Sequence, residues 1–475
     1  MRSIVWFRHN LRLSDNHPLY EAAKEGEVLP VYIDDPGLSL FPDPARRRWR
    51  TLSLAALDRS LEPFGNRLHL FAGASDEILQ DLARRVRADT IVAYRGLVPE
   101  DRAREEGLAT RLAGSGVRLR LWGFDCLYPP DQASEGRPGP WKIFSPYERS
   151  CRSRFFPERP LPVPERICPI PVSLNGGEAG QSPRSQPLPE GGRGLAQNGF
   201  DPGEAGAARR FQDFLATHIQ GYASRRDFPG EISTSRLSAH LAAGEISVRE
   251  VVAGVSGSPA SGADREKFLS EISWREFSSY LLFHHPGMLT EPLRKEYASL
   301  APEREGEAFL AWTRGKTGIP FVDAGMRELA ETGWMHNRAR MVAASFLVKN
   351  LGISWVAGER WFAEKLLDYD PANNAASWQW VAGCGTDAAP FFRIMNPVLQ
   401  GRRYDPQGLY VRQYIPELAL LPDARIHAPW MRVSSQTSSS PDTPDYPEPL
   451  VDLFVSRKAA LQRYRSLRHF SPDFR

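Results

Sequence analysis

The chain has 475 residues, a formal net charge of +3 and 25% charged side chains, which is ordinary for a folded protein large enough for two domains. Its four cysteines, Cys126, Cys151, Cys168 and Cys384, form no close pair and no CxxC, so neither a disulfide framework nor a metal site is predicted. No apolar run approaches the length of about 18 residues that a transmembrane helix needs, and no signal peptide follows Met1, so we expect a cytoplasmic protein.

The first 130 residues alternate between strands and helices. Apolar runs predict five strands, at 3–7, 28–33, 68–71, 90–93 and 117–122. Helical periodicity fills the stretches between them, at 45–61, 76–86 and 100–112. Alternation at this spacing predicts a parallel sheet covered on both faces, that is, a Rossmann-like α/β domain. The loop after the first strand, residues 8–16, is polar, and ligands of open α/β sheets bind at such carboxyl ends. It carries no GxGxxG dinucleotide fingerprint.

The composition changes twice along the chain. Residues 157–207 hold 10 prolines and 9 glycines, which predicts an irregular connector. Beyond it helical periodicity dominates, at 208–218, 236–243, 265–283, 322–332 and 338–349. The predicted organisation is therefore an α/β domain at 1–130, a Pro/Gly-rich linker at 131–207 and an all-helical domain at 208–475.

The run DYDPANNAASWQW at 368–380 is the most unusual stretch of the helical half. Pro371 and the polar run after it favour a loop or a fresh helix start. On such a helix Asn374 and Trp378 share a face, whereas Trp380 points to a different side. One indole can then pack into the domain while the other lines a cavity. A helical hairpin with plain aromatic packing is the alternative interpretation.

The run TSRLS at 234–238 precedes a predicted helix that ends near Gly244. It carries three hydroxyl side chains, those of Thr234, Ser235 and Ser238. Such residues commonly cap a helix, and simple capping is one interpretation. The free N–H groups of a helix start also suit a phosphate or pyrophosphate, which is the second interpretation.

Two helical faces mix charge, amide, sulfur and indole, whereas helices of a helical domain normally turn apolar stripes inward. The residues at helical spacing are Glu271, Trp274 and Arg275 on one helix, and Asn337, Arg340 and Met341 on another. These faces predict a polar cavity that can hold a large planar ligand, and two solvated faces are the alternative. A buried Arg340 would need a carboxylate, which Asp368 or Asp370 can provide.

Arginines flank the same motifs, at 225, 226, 338, 393, 402 and 403. Scattered arginines are usually surface residues, but around an aromatic-lined cavity they suit a phosphate backbone. No metal-ligand cluster, Ser-His-Asp arrangement or P-loop is evident.

These residues together resemble the photolyase/cryptochrome flavoprotein family over nearly the whole chain, and most closely its class I cyclobutane pyrimidine dimer photolyases. The matching runs are WFRHNLRLSDN at 6–16, RDFP at 226–229, TSRLS at 234–238, WREF at 274–277, TGIPFVDAGMREL at 317–329, TGWMHNRARM at 332–341, DYD at 368–370, WQW at 378–380 and GTDAAPFFRIMNP at 385–397.

The resemblance implies an N-terminal α/β antenna domain and an all-α C-terminal domain that binds FAD. The residues implied to bind FAD are Tyr222, Thr234, Ser235, Arg236, Leu237, Ser238, Arg275, Asn337, Arg340, Asp368, Tyr369, Asp370 and Asn374. Asn374 is implied to face N5 of the flavin.

The resemblance further implies a monomeric enzyme that acts on ultraviolet-damaged DNA. Excited reduced FAD would donate an electron to a flipped-out cyclobutane pyrimidine dimer, and Glu271, Asn374, Trp378 and Trp355 are the implied catalytic residues. The implied substrate and DNA contacts are Arg226, Glu271, Trp274, Asn337, Arg338, Met341, Trp380, Arg393 and Gln400. Photolyases of the (6-4) type carry histidine where Asn337 stands. A cryptochrome-type photoreceptor that binds FAD without repair is the alternative function.

The chain departs from the family pattern at one tryptophan. Family members commonly reduce FAD through three tryptophans, and Trp378 and Trp355 match the proximal and middle positions. The distal position falls at Ala301-Pro302, where no tryptophan stands. We therefore expect slow photoreduction or a substitute route through Trp312, Trp361 or a nearby tyrosine.

The antenna domain departs as well. Many relatives carry an asparagine and a Tyr-Glu-Pro run after the fourth strand, whereas this chain reads RGLVP at 95–99. Glu100 and Asp101 are candidates for the acidic residue that contacts a folate. A folate, a deazaflavin or an empty antenna site all stay open.

Overall fold

The computed structural model describes residues 1–36, 44–155, 158–171, 199–297, 306–386, 393–431 and 445–468. The chain forms two compact units. The first unit combines Met1–Gln220 with Ser235–Pro286, and the second combines Gly221–Thr234 with Gly287–Arg475. The boundaries expected from composition (1–130, 131–207 and 208–475) follow sequence character and not packing, so they stay a prediction.

A five-stranded sheet forms the centre of the first unit. Its strands are β1 (Arg2–Phe7), β2 (Glu27–Asp34), β3 (His69–Ala72), β4 (Thr90–Tyr94) and β5 (Arg118–Trp122). Their order is β3-β2-β1-β4-β5, and all neighbours pair in parallel. The predicted parallel α/β sheet is therefore confirmed.

The alternation of side chains along β1 explains why this strand is apolar throughout. Ile4 and Trp6 pack in one hydrophobic cluster, whereas Val5 and Phe7 pack in another. Successive residues of a strand point to opposite faces, so a central strand covered on both faces has no polar side. The apolar run at 3–7 carries this information in the sequence.

The helices of the first unit are α1 (His17–Glu25), α2 (Pro44–Leu61), α3 (Ser75–Val86), α4 (Pro99–Leu112), α5 (Phe144–Arg154), α6 (Glu204–Asp213), α8 (Ser238–Ala243), α9 (Val248–Gly257) and α10 (Gly262–His284). The prediction that α8 begins at residue 236 is wrong. Arg236 has a φ of +51°, a left-handed conformation that cannot continue a right-handed helix.

The second unit is helical in all its described elements. They are α7 (Tyr222–Arg225), α11 (Glu307–Thr313), α12 (Pro320–Thr332), α13 (Asn337–Ser345), α14 (Trp355–Lys365), α15 (Pro371–Ala382), α16 (Pro397–Tyr404), α17 (Leu409–Tyr414), α18 (Asp423–Ile426) and α19 (Leu453–Arg468). The helix expected to run to residue 349 is α-helical only to Ser345, because Phe346–Leu351 forms a π-helical turn. Such turns often lie at functional sites.

Candidate functional site

The start of α15 organises the candidate site in the second unit. Asp370 caps the helix, since its Oδ1 accepts a hydrogen bond from Asn373 N at 2.9 Å, and Pro371 occupies the first helical position. Both features favour a helix that begins at this point. Of the two alternatives that the sequence left open here, a loop or a helix start, the structure has the helix, and it carries Asn374, Trp378 and Trp380.

Arg340 on α13 pairs with Asp368, which lies just before that helix. Arg340 Nη2 lies 2.8 Å from Asp368 Oδ2, and Arg340 Nε donates to Met335 O at 2.7 Å. Of the two acids considered from the sequence, Asp368 is therefore the partner, while Asp370 serves as a cap. The other oxygen, Asp368 Oδ1, is buried and accepts no hydrogen bond from any described residue. A buried carboxylate oxygen without a donor is costly unless a ligand supplies one.

Asn374 is held by Glu359 of α14, a residue that no sequence motif pointed to. Its Nδ2 donates to Glu359 Oε1 at 2.9 Å and to Glu359 O at 3.1 Å, and both residues are buried. Glu359 also accepts from Tyr369 Oη at 3.4 Å. The amide N–H₂ group is thereby engaged by α14, which leaves the Asn374 carbonyl oxygen as the acceptor for a ligand. The sequence signal for Glu359 is a single acid, next to Arg360, within the otherwise uncharged run WVAGERWF at 355–362.

The two tryptophans of α15 have different environments, as the sequence predicted. Trp378 is buried, and its ring centroid lies 5.0 Å from Phe362 and 6.2 Å from Trp312. Trp380 is half-buried, and Arg393 lies 6.0 Å above its ring. Trp378 thus belongs to the hydrophobic core, while Trp380 keeps accessible surface. Trp355, the expected middle tryptophan, is buried at the start of α14.

The polar residues of α13 differ in exposure and in their contacts. Asn337 is exposed and lies 3.8 Å from the sulfur of the half-buried Met341. Arg338, by contrast, is held by Asp227 at 2.8 Å and lies 4.2 Å above the ring of Tyr404. Arg226 is buried beside the same aspartate. Among the other expected DNA contacts, Arg393 is exposed and Gln400 is half-buried on α16.

Three expected site residues lie on α10 of the first unit. Glu271 pairs with Lys267 at 2.9 Å, and both side chains are partly exposed. Trp274 stacks face to face on Phe144, with ring centroids 3.7 Å apart. Arg275 pairs with the buried Glu276 at 3.0 Å, and burial raises the pKa of Glu276 although Arg275 counteracts this. Each of the three residues predicted to share this face of α10 therefore already has a partner within the protein.

The hydroxyl-rich loop before α8 does not cap that helix. Leu237 occupies the cap position, and no side chain caps it there, so the simple capping interpretation is wrong. Ser235 Oγ accepts from Leu237 N at 3.4 Å, and Ser238 is exposed. Of the remaining expected cofactor ligands, Thr234 is half-buried and Tyr222 is buried, both in the second unit.

The carboxyl end of β1, the other candidate ligand position, is taken by ion pairs of the chain itself. Arg8 Nη2 lies 2.7 Å from Glu105 Oε1, and Arg8 Nη1 lies 3.6 Å from Asp101 Oδ1. Glu105 also accepts from Gly96 N at 2.6 Å. Asp101, a candidate folate contact, thus faces Arg8.

The described part of the chain offers neither a metal-binding cluster nor a membrane-spanning helix. No group of three or more His, Cys, Asp or Glu side chains is arranged to hold a metal ion there. None of the helices described combines the length and apolar character required to cross a bilayer. Residues 301–302, where the distal tryptophan was expected, and residues 387–392 of the GTDAAPFFRIMNP run lie outside the described residues.

Comparison with known proteins gives consistent matches. Residues 268–466 match the family model for the FAD binding domain of DNA photolyase, and residues 3–165 match the model for DNA photolyase. The chain is 40% identical to a deoxyribodipyrimidine photo-lyase of Agrobacterium fabrum, with 98% of each chain covered. It is 33% identical to cryptochrome-2 of Arabidopsis thaliana, over 96% of this chain and 78% of that protein. The crystal structure of a bacterial class III photolyase from Agrobacterium tumefaciens matches with a TM-score of 0.90 and 39% identity, over 98% of each chain.

Proposed function

Because the chain belongs to the photolyase/cryptochrome family, we propose that it is an enzyme that repairs cyclobutane pyrimidine dimers in DNA under light. The observation that supports this most directly is the Arg340–Asp368 pair with its open buried oxygen, six residues before Asn374. Family likeness alone does not separate repair from light sensing, because one fold carries both roles. The subclass also stays open, since the resemblance named class I and the similar crystal structure is of a class III photolyase.

The residues present fit FAD. Asp368 Oδ1 is a buried acceptor that lacks a donor among the described residues, as a site for a ring N–H group requires. Arg340 places a cation beside it, and Asn374 offers a fixed amide acceptor. We infer that Arg340, Asp368, Asp370 and Asn374 hold the isoalloxazine. When bound, FAD supplies the light-driven electron chemistry, while the protein positions and electrostatically supports it.

The chain's own residues have defined tasks in this proposal. Glu359 fixes the orientation of the Asn374 amide, so the acceptor is aimed before the cofactor binds. Arg340 stabilises negative charge next to Asp368. Trp380, Asn337 and Met341 keep accessible surface and are proposed to contact the extruded dimer. A damaged, weakly stacked step costs less to unstack, which contributes selectivity.

Tryptophan contacts support a substitute route for photoreduction. The Trp378 ring lies 6.2 Å from Trp312, which lies 5.8 Å from Phe309, and Phe309 lies 6.4 Å from Trp361. Trp361 is half-buried, so this row of rings runs from the buried Trp378 to an accessible indole. We propose that Trp312 and Trp361 serve as donors to Trp378. Trp312→Phe should slow photoreduction of the oxidised protein more than Trp355→Phe does, and the opposite ranking would remove this route.

The decisive experiment is repair of an ultraviolet-irradiated thymine oligonucleotide under blue light by fully reduced protein, with a dark control. Thymine restored only in light is the expected result. If no thymine is restored although FAD is bound, repair is excluded and the photoreceptor alternative is supported. A purified protein without a flavin absorption band would contradict both.

The second chromophore stays a separate proposal. The family resemblance implies an antenna domain, and the alternatives are a folate, a deazaflavin or an empty antenna site. Extraction of the native protein followed by absorption and mass spectrometry of the released cofactors identifies it.

A further inference from the structure

Asp227 lies in a turn whose position is fixed by backbone contacts. Phe228 N donates to Arg225 O at 3.1 Å, and Glu231 N donates to Phe228 O at 3.1 Å. Gly230 packs so closely on α17 that a Cβ there would lie 3.0 Å from Leu409 Cβ. The turn therefore presents the Asp227 carboxylate in a defined place within the second unit.

The carboxylate of Asp227 engages two arginines that the family resemblance assigns to DNA. Its Oδ2 lies 2.8 Å from Arg338 Nη2, and its Oδ1 lies 3.9 Å from Arg226 Nε. The side chains of Arg338 and Arg226 are 15% and 9% exposed, whereas that of Asp227 is 34% exposed. The acid is thus the most accessible member of the group, and an approaching anion meets it together with the arginines.

The pair between Asp227 and Arg338 leaves the guanidinium incompletely satisfied. Arg338 Nε is buried and finds no acceptor among the described residues. Arginine and a carboxylate or phosphate are held most strongly when two N–H groups are engaged at once. The resting pair therefore does not use the full capacity of Arg338.

The guanidinium groups of two arginines lie against the ring of Tyr404. The Tyr404 ring lies 4.2 Å from the Arg338 guanidinium and 5.2 Å from that of Arg403, which is exposed on α16. Phe228 lies at the edge of the same ring, with centroids 6.1 Å apart. A cluster of guanidinium groups around one aromatic ring is suited to a nucleic-acid backbone.

We propose that Asp227 mimics a DNA phosphate: it occupies the anion position of Arg338 in the free protein and is displaced when DNA binds. This inference rests on the proposed DNA-repair function and adds a residue that sets its DNA affinity. Electrostatic binding to phosphates supplies most of the affinity for undamaged DNA. An internal carboxylate that must first be displaced lowers affinity for any duplex and shortens the time spent on repaired product.

The test uses the full-length holoprotein in the dark, so that no substrate is consumed. Dissociation constants of Asp227→Asn are measured for a dimer-containing duplex and for an undamaged duplex of the same sequence. Both affinities should rise by roughly fivefold, the factor expected for removing a partly buried ion pair. Glu231→Gln is the matched control, because it removes the same charge from the same turn but frees the exposed Arg225. It should change affinity by less.

A double-mutant cycle with Arg338→Met identifies the route of the effect. In that background Asp227→Asn should tighten binding much less, since only the longer contact of 3.9 Å with Arg226 is left to release. Unchanged or weaker binding by Asp227→Asn overturns the inference, as does an equal gain from Glu231→Gln or a full gain in the Arg338→Met background. A wild-type protein that fails to bind or repair dimer-containing DNA would instead contradict the proposed function.

Discussion

Two arginine–aspartate pairs, one in each compact unit, have the same length and opposite character. Arg12 of the first unit lies 2.8 Å from both oxygens of Asp125, and its remaining N–H groups donate to Ser14 O, Asp15 O and Gly244 O. Its side chain is fully buried. Arg340 of the second unit lies 2.8 Å from one oxygen of Asp368 and is 25% exposed. The other oxygen of Asp368 has no partner among the described residues.

The difference shows how a structural pair and a binding pair are distinguished. Arg12 uses all five donors of its guanidinium within the protein, so nothing is left for a ligand. Although burial alone would raise it, the Arg12 guanidinium lowers the pKa of Asp125 below its ordinary value. The Arg340–Asp368 pair keeps an open buried acceptor and an accessible cation. Incomplete satisfaction, and not the presence of an ion pair, marks the candidate site.

The comparison predicts the largest effect for Asp125→Asn. The substitution leaves the fully buried Arg12 without its carboxylate, and breaking such a pair costs about 3–5 kcal/mol of the free energy of unfolding. Denaturant unfolding of Asp125→Asn and of the wild type measures this cost. A loss below about 1 kcal/mol would show that Arg12 is solvated after all.

A buried acid without an arginine pair should respond to pH. Asp405 accepts hydrogen bonds from Tyr410 N at 3.0 Å and Val411 N at 3.1 Å, and burial raises its pKa from 3.8 to about 6. A raised carboxyl pKa means that the folded state binds more protons than the unfolded state between these values. The free energy of unfolding should therefore fall as pH rises from about 4 to about 6, by about 3 kcal/mol.

The control for this pH effect is Asp405→Asn, whose unfolding free energy should lack that fall. Burial lowers the pKa of the neighbouring His427, whose Nε2 lies 3.9 Å from Asp405 Oδ2, so the difference between the two curves also contains the interaction of these two residues. Parallel curves for wild type and variant would contradict the assignment.

Asp368→Asn is the counterpart of Asp125→Asn in the second unit. Water can solvate the stranded Arg340, which is one-quarter exposed, so we expect a smaller loss of about 1–2 kcal/mol in the free energy of unfolding. Flavin content should fall markedly, as measured by the ratio of flavin to protein absorbance. Full flavin content in Asp368→Asn, or a stability loss equal to that of Asp125→Asn, would remove the distinction between the two pairs.

The smallest effect on stability is expected for Glu359→Gln. The glutamine keeps one acceptor for Asn374 Nδ2, so the free energy of unfolding should change by about 1 kcal/mol or less. The absorption and fluorescence spectra of bound flavin should nevertheless shift, because the Asn374 amide then donates to an amide oxygen and no longer to a carboxyl oxygen. Glu364→Gln on the same helix is the control and should leave the spectra unchanged. Identical spectra in both variants would show that Glu359 does not position Asn374.

The sequence by itself determined the local structure and the family. The apolar run at 3–7 predicted a buried strand, and Pro371 with its polar neighbours predicted a loop or a helix start. These signals act over a few residues, through side-chain alternation, capping and the fixed φ of proline. The ordered motifs named the family, and the family models confirmed it.

Only the tertiary structure decided which charges meet. Nothing local to Asn374 indicates Glu359, fifteen residues earlier, and nothing in RDFP indicates that Asp227 reaches Arg338 on another helix. The same residue types became a closed pair at Arg12 and an open one at Arg340. An ion pair depends on which elements packing brings within a few ångströms, and burial then sets its strength. The spacing of residues along the chain predicts neither the distance between the two charged groups nor their burial.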